Sequence, residues 1–193
     1  MKKVLVLGKI HDAGLQILRD APDVEFVELA EHVPELFDHL PGTDAIIVRM
    51  TKIDQKVIDT APNLKIVARH GVGYEAVDVP GLTAHKIPLA LVGNVNASAV
   101  AEHTLAMMLA MAKKLVPYDH ATRNGNFKIR DSFSQTELLG KKILVAGFGR
   151  IGREVAQRCA AFGMTVMISD PFVTADDVKK AGYLPVEDFR KAL

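Results

Sequence analysis

The sequence predicts an α/β chain built on parallel sheets. Three observations carry this. From Val4 to Val92, short β-type runs alternate with helical patterns, the arrangement that lays a parallel sheet between helices. After one long helical pattern, a second alternating stretch begins at Lys141. That stretch opens with a strand, a glycine-rich turn and a helix, the order of a dinucleotide-binding unit.

Taken in order, the first strand is expected at Val4–Leu7, an apolar run behind two lysines. Those lysines mimic a signal peptide, but the run is far too short for an h-region. Further strands are expected at Glu25–Leu29, Ala45–Val48, Ile66–Ala68 and Leu89–Val92, with helices at Asp12–Asp20, Pro34–Leu40, Asp54–Thr60 and near Val79–His85. Pro22, Pro41-Gly42 and Pro62-Asn63 mark helix ends. From Ser98 to about Val116, Val100, Thr104, Met107, Met108, Met111 and Leu115 recur at helical spacing, which predicts one long helix capped by Asn96 or Ser98. Its methionines are expected to pack into the core, since a Met stripe fills irregular gaps. The polar segment Asp119 to Gln135 contains Asn124-Gly125 and reads as a loop or linker. After it come strands at Lys142–Ala146 and Thr165–Ser169, a helix from Ala175 to Ala181, a short strand at Gly182–Pro185 and a last helix from Val186.

Composition excludes several classes of function. A chain of 193 residues holds one large domain or two small ones, and 49% hydrophobic against 24% charged residues is an ordinary globular balance. A net charge of +1 sets up no overall field for nucleic acid or anionic lipid, so a small-molecule partner is expected. The run Thr104 to Ala112 falls short of the roughly 20 apolar residues that span a bilayer. Cys159 is the single cysteine and builds no disulfide framework, which points to a cytoplasmic protein. Its mid-helix position suits a small buried hydrophobe.

The chemistry-bearing motif follows Ala146. Gly147, Gly149 and Gly152 stand in G-x-G-x-x-G spacing before a helical pattern running through Val155, Cys159 and Phe162. The first glycine permits a tight turn, the second a close approach of pyrophosphate, and the third close packing of helix on strand. The helix N-terminus directs N–H groups and partial positive charge at the phosphates. The second strand ends in Asp170, where the fingerprint places a carboxylate for the ribose hydroxyls. Such a carboxylate repels a 2′-phosphate, and no arginine follows at Pro171, Phe172 or Val173, so NAD is favoured over NADP. The competing reading is a glycine turn packing in some other α/β protein, with Asp170 a solvated strand end. Arg150 also reads as a surface cation that contributes by its backbone.

With these residues in view, the chain resembles the NAD-dependent D-isomer-specific 2-hydroxyacid dehydrogenases, and within them the phosphoglycerate-oxidising branch. The resemblance lies in Glu137-Leu138-x-Gly140-Lys141, Gly147-Phe148-Gly149-Arg150-Ile151-Gly152, Asp170-Pro171, Arg69-His70-Gly71-Val72-Gly73 with Asp78, and Asn96-Ala97-Ser98-Ala99-Val100-Ala101-Glu102. It implies a flavodoxin-like substrate domain over residues 1–96 and an incomplete Rossmann-type NAD-binding domain over 97–193. It implies that Gly147, Phe148, Gly149, Arg150, Ile151, Gly152 and Asp170 bind NAD, and that Val72 and Gly73 offer N–H groups to a 2-hydroxy or 2-oxo acid carboxylate. Arg49 resembles a residue placed near the substrate phosphate, and reads equally as a solvated or ion-paired arginine. A homodimer is implied as well. Tyr74, Glu75 and Ala76 depart from the Val-Asp-Asn common in that branch, and Leu144 stands where many members have glycine.

The family's reaction uses a histidine paired with a carboxylate, and an arginine, all lying beyond the second nucleotide strand. None has a counterpart before Leu193, so no catalytic residue is assigned. His70 lies nearest the glycine loop and could tune specificity, while His11, His32, His39, His85, His103 and His120 read as ordinary histidines. A doubly wound nucleotide domain orders its strands 3-2-1-4-5-6, and only the first three are found here. The expectation is therefore the amino-terminal part of a longer enzyme, inactive by itself. An NAD(H)-sensing, non-catalytic protein on the same scaffold is the alternative, and a complete nucleotide-binding protein is a third.

Overall fold

Strand β1 (Lys2–Leu7) anchors the first of two units, Met1–Gly93 and Asn94–Leu193, in a computed structural model that describes residues 1–192. From Val4 to Leu7 the strand is buried on both faces. Leu5 and Leu7 join Leu40, Ile46, Val48, Ile58 and Val67 in one cluster, while Val4 and Val6 join Ile10 and Leu15 in another. This follows from the two-residue period of a strand, which sends neighbouring side chains to opposite faces. Each fully buried Leu is worth about 1.5–3 kcal/mol of transfer free energy.

Around β1 lie β2 (Val24–Leu29), β3 (Ala45–Val48), β4 (Ile66–Arg69) and β5 (Leu89–Leu91), in the order β2-β1-β3-β4-β5. Every pairing is parallel. This is the flavodoxin-like doubly wound order, whose switch point lies between β1 and β3. The connecting helices are α1 (Asp12–Arg19), α2 (Leu36–His39), α3 (Gln55–Thr60) and α4 (Val79–Ala84). Asp54 caps α3 by accepting from the Val57 N–H at 3.2 Å, and Asp78 caps α4 by accepting from Gly81 at 3.0 Å. The helix expected over Pro34–Leu40 is shorter, because Pro41 turns its end into a 3₁₀ segment, Leu40–Gly42. At the opposite end of the sheet from the strand C-termini, Asp44 accepts from Lys65 Nζ at 2.7 Å and from the Lys3 N–H at 3.0 Å. Those two bonds, with Lys2 nearby, hold its carboxyl down to about 2.

The second unit opens with α5 (Ala97–Ala112) and α6 (Leu115–Arg123), where one continuous helix was expected. Pro117 explains the break. In an unbroken helix its ring would collide with the carbonyl of Lys113 and leave that carbonyl without a donor. The chain instead turns at Lys114, which adopts φ +53°, and restarts so that proline falls in a first turn. The expected loop from Asp119 is corrected too: α6 runs to Arg123, stabilised by the Arg123–Asp119 pair at 2.9 Å, and a 3₁₀ segment follows at Phe127–Ser132.

The methionine stripe is corrected in part: Met108 packs against the core as expected, and Met107 and Met111 do not. Met107 and Met111 are 49% and 75% exposed, and Val100 and Leu115 are exposed as well. The buried face of α5 carries Ala97, Ala101 and Leu105 instead. From Leu105 to Ala112 the helix is apolar all round and has no single hydrophobic face to read, and the face that meets another helix closely takes the small residues. That neighbour is α7 (Arg150–Ala161), which contributes Val155, Ala156 and Cys159 to the shared core.

The unit's sheet has the order β6-β7-β8, from β6 (Lys142–Ala146), β7 (Thr165–Ser169) and β8 (Leu184–Pro185), all parallel. Among the described residues β6 has a neighbour on one side only. This is half of a Rossmann-type sheet. Helix α8 (Ala175–Lys180) is capped by Thr174, which accepts from Asp177 at 3.2 Å. Where a last helix from Val186 was expected, a 3₁₀ segment covers Phe189–Ala192, and Leu193 lies outside the described residues. No helix among the described residues is long and apolar enough to cross a membrane.

Candidate functional site

At the end of β6 the backbone turns sharply through Gly147, at φ +95°, a value that glycine alone adopts without strain. The Gly147 N–H donates to Ser169 O at 2.8 Å, which ties the turn to the end of β7. Gly149 then caps α7, and the Arg153 N–H donates to Gly149 O at 3.1 Å. The first turn of α7, containing Arg150, Ile151 and Gly152, lies over the glycine turn. Its N–H groups find no carbonyl four residues back within the helix.

Gly152 and Gly149 are glycines for different reasons. A Cβ on Gly152 would stand 1.9 Å from Gly147 O, so packing of helix on turn requires its absence. A Cβ on Gly149 would meet no atom within 4 Å, and its φ of −75° suits any residue. Nothing in the protein demands a glycine at 149. The open space above it suits a group that approaches the backbone from outside, as a pyrophosphate does.

Asp170 is placed beside this turn. Its Oδ2 accepts from the Phe148 N–H at 2.6 Å and its Oδ1 from the Phe172 N–H at 2.7 Å. Chiefly the first of these bonds, then the second, holds its carboxyl below the usual range, with Arg153 adding to the effect. The Phe148 N–H is thus engaged by Asp170. The phenyl ring is 2% exposed, meets Tyr183 edge-on at 5.7 Å, and carries the Arg153 guanidinium 4.2 Å above its centre. Beyond Asp170 a cleft of about 240 Å³ is lined by Ile168, Pro171, Val173, Val178, Pro185 and Glu187 among others. Apolar walls with a carboxylate at the rim suit a heterocycle joined to a sugar. Cys159 lies buried in the core, where desolvation pushes its thiol up.

In the first unit, the other predicted residues gather at the C-terminal ends of adjacent strands. Arg49 follows β3, with its N–H donating to Leu7 O at 3.1 Å and its Nη1 to Lys9 O at 3.5 Å. Arg69 ends β4 opposite Val48, and its guanidinium folds onto His70 O. Val72 and Gly73 lie half-buried in the loop beyond. The Glu75 carboxylate folds back against Gly73, so that a Cβ there would lie 2.6 Å from Oε2. The result is a rim of two arginines and a small-residue loop with the Glu75 carboxylate laid on it, chemistry suited to a small anion that displaces this carboxylate. Sequence reasoning gives Arg49 a role, meets Arg69 only as the head of the glycine-loop motif, and passes over Arg153; the ladder register and the helix face are what bring those two in.

A family profile described as D-isomer specific 2-hydroxyacid dehydrogenase, catalytic domain, matches residues 4–193. D-3-phosphoglycerate dehydrogenase of Mycobacterium tuberculosis (strain ATCC 25618 / H37Rv) is 40% identical over 172 residues, covering 89% of this chain and 32% of the relative. The Bacillus subtilis (strain 168) protein of the same name is 36% identical over 183 residues, covering 94% and 34%. The chain therefore spans about a third of the length of these curated relatives. Among solved structures, TT0316 protein from Thermus thermophilus superposes with a TM-score of 0.85 at 28% identity, covering 95% of this chain and 59% of that one. D-Lactate dehydrogenase from Aquifex aeolicus, complexed with NAD and lactic acid, gives 0.81 at 26% identity, covering 95% and 56%.

Proposed function

We propose a function from one premise: the chain belongs to the D-isomer-specific 2-hydroxyacid dehydrogenase family. On this reading it is the amino-terminal part of an oxidoreductase that moves a hydride between NAD and a D-2-hydroxy acid, with 3-phosphoglycerate the foremost candidate. The second unit takes NAD and the first takes the acid. The observation that carries the reading is the glycine turn with Asp170 tied to its Phe148 N–H.

Each residue has a defined task. The first turn of α7 binds pyrophosphate through its N–H groups and partial positive charge, with Gly149 leaving room for the approach. Asp170, held ionised, accepts from the ribose hydroxyls with the lone pairs its two backbone bonds leave over. The cleft beside it encloses the adenine. Val72 and Gly73 orient the substrate carboxylate, and Arg49 takes a substrate phosphate. When bound, NAD supplies the nicotinamide that exchanges hydride with C2 of the acid. Among known proteins, the relatives named as dehydrogenases favour catalysis over NAD(H) sensing. The exposed apolar face of α5 and α6, with Met107, Met111 and Leu115, supports a homodimer in which a second copy covers it.

The test is NADH formation by the full-length protein with 3-phosphoglycerate, D-lactate and D-glycerate. Turnover with NAD of at least one acid is expected. Tight NAD binding without turnover of any D-2-hydroxy acid would favour sensing instead.

A further inference from the structure

No arginine follows Asp170 along the chain at Pro171, Phe172 or Val173, yet the fold brings one to it from upstream. Arg153, in the first turns of α7, lays its guanidinium over the Phe148 ring, 4.2 Å from the centre. The N–H of that same residue, Phe148, donates to Asp170 Oδ2 at 2.6 Å. Cation and carboxylate therefore flank one residue of the glycine turn. The perch is a firm one. Phe148 is 2% exposed and fixed edge-on against Tyr183, so the ring beneath the guanidinium stays in place whether or not Asp170 is charged.

We propose that Arg153 is a second determinant of cofactor choice, a phosphate-binding cation beside the ribose position that Asp170 alone denies to a 2′-phosphorylated dinucleotide. The inference rests on the reading of Asp170 as the ribose carboxylate. With Asp170 ionised, its charge and that of Arg153 offset each other at this edge, and a 2′-phosphate meets the carboxylate at close range. Neutralising Asp170 leaves the Arg153 guanidinium, a planar fork whose donors match phosphate oxygens, with Glu187 the remaining carboxylate of the cleft. The local field then shifts toward attraction for an anion by the one charge removed. Arg153 also contributes to keeping Asp170 ionised, so the same pair sustains the discrimination it conceals.

The experiment measures NAD and NADP dissociation constants for the full-length protein, for Asp170→Asn, and for Asp170→Asn with Arg153→Ala. Asparagine keeps the side-chain volume and the acceptor for one of the Phe148 and Phe172 N–H groups, and gives up the bond to the other. Asp170→Asn is expected to weaken NAD about tenfold and to tighten NADP about tenfold, an order-of-magnitude shift for one charged contact. Adding Arg153→Ala should remove most of the NADP gain and leave only what relief of repulsion supplies. Equal NADP affinity of the single and double variants would overturn the proposal, as would a loss of NAD with no gain of NADP. If Asp170→Asn changes affinity for neither dinucleotide, the ribose reading itself fails and the proposal with it. Should the asparagine variant melt below the working temperature, Asp170→Ser with and without Arg153→Ala poses the same comparison.

Discussion

Replacing Gly152 and Gly149 by alanine separates a packing glycine from a ligand glycine. At 152 the new Cβ would stand 1.9 Å from Gly147 O and 3.0 Å from its carbonyl carbon, against the 3.4 Å at which ordinary contact begins. Both obstacles are backbone, so the start of α7 must move off the turn by about 1.5 Å, an overpacking that costs about 1–3 kcal/mol. Alanine's better helix propensity returns at most about 1 kcal/mol. The displacement also lengthens any N–H to phosphate bond from about 2.9 Å beyond hydrogen-bond range. Loss of one charge-assisted bond, about 1.5–3 kcal/mol, corresponds to about a 10- to 150-fold weaker NAD complex. At 149 the Cβ meets no protein atom within 4 Å, so stability should fall by less than about 1 kcal/mol, the loss of a glycine cap. NAD affinity should nonetheless fall at least as far as in Gly152→Ala. Urea denaturation and calorimetric titration with NAD measure the two quantities. The reasoning is refuted if Gly149→Ala binds NAD like the parent, or if Gly152→Ala is as stable as the parent and binds NAD equally well.

Three further outcomes follow from named contacts. Phe148→Ala empties a fully buried site under Arg153 and against Tyr183, and should cost about 3–5 kcal/mol in urea denaturation, whereas Phe148→Leu should cost far less. Asp44 is depressed from 3.8 to about 2, so its stabilising contribution is complete above the ordinary carboxylate range and is lost as pH falls toward 2. The urea midpoints of the parent and Asp44→Asn should therefore differ at neutral pH and converge as pH falls from about 4 toward about 2; a constant difference would contradict the assignment. Where the full-length protein oxidises both acids, Arg49→Gln should raise KM for 3-phosphoglycerate roughly tenfold or more while leaving KM for D-lactate little changed, as expected if a charge-assisted phosphate contact is lost. Equal effects on both acids would remove Arg49 from the phosphate site.

Much of this fold is legible because parallel strands are buried on both faces and so stand out as short apolar runs. Val4, Leu5, Val6 and Leu7 form such a run, and so do Ala45–Val48 and Thr165–Ser169. The glycine turn is legible for a different reason: its spacing encodes backbone geometry, which the 1.9 Å approach at Gly152 displays directly. Helix α5 is where sequence reasoning goes astray. Its second half, Leu105 to Ala112, is apolar around its circumference, so periodicity there does not distinguish the face continuing from Ala97, Ala101 and Leu105 from the Met107 and Met111 face. The break at Lys114 is signalled by Pro117, three residues on, but the αL residue there is a lysine, which carries no local mark of its own. Arg153 escapes a search for cations that runs along the chain from Asp170, because the helix face supplies one through space.

The central claim is that NAD is held by the turn Gly147–Gly152 and by Asp170. Backbone amide chemical shifts of the isotopically labelled protein, followed during titration with NAD, test it directly. The largest changes are expected at Gly149, Arg150, Ile151 and Asp170, with smaller ones along Val173 and Val186, and a much weaker response to NADP. Saturable NAD binding that leaves the amides of residues 147–152 and 170 unmoved would contradict the account.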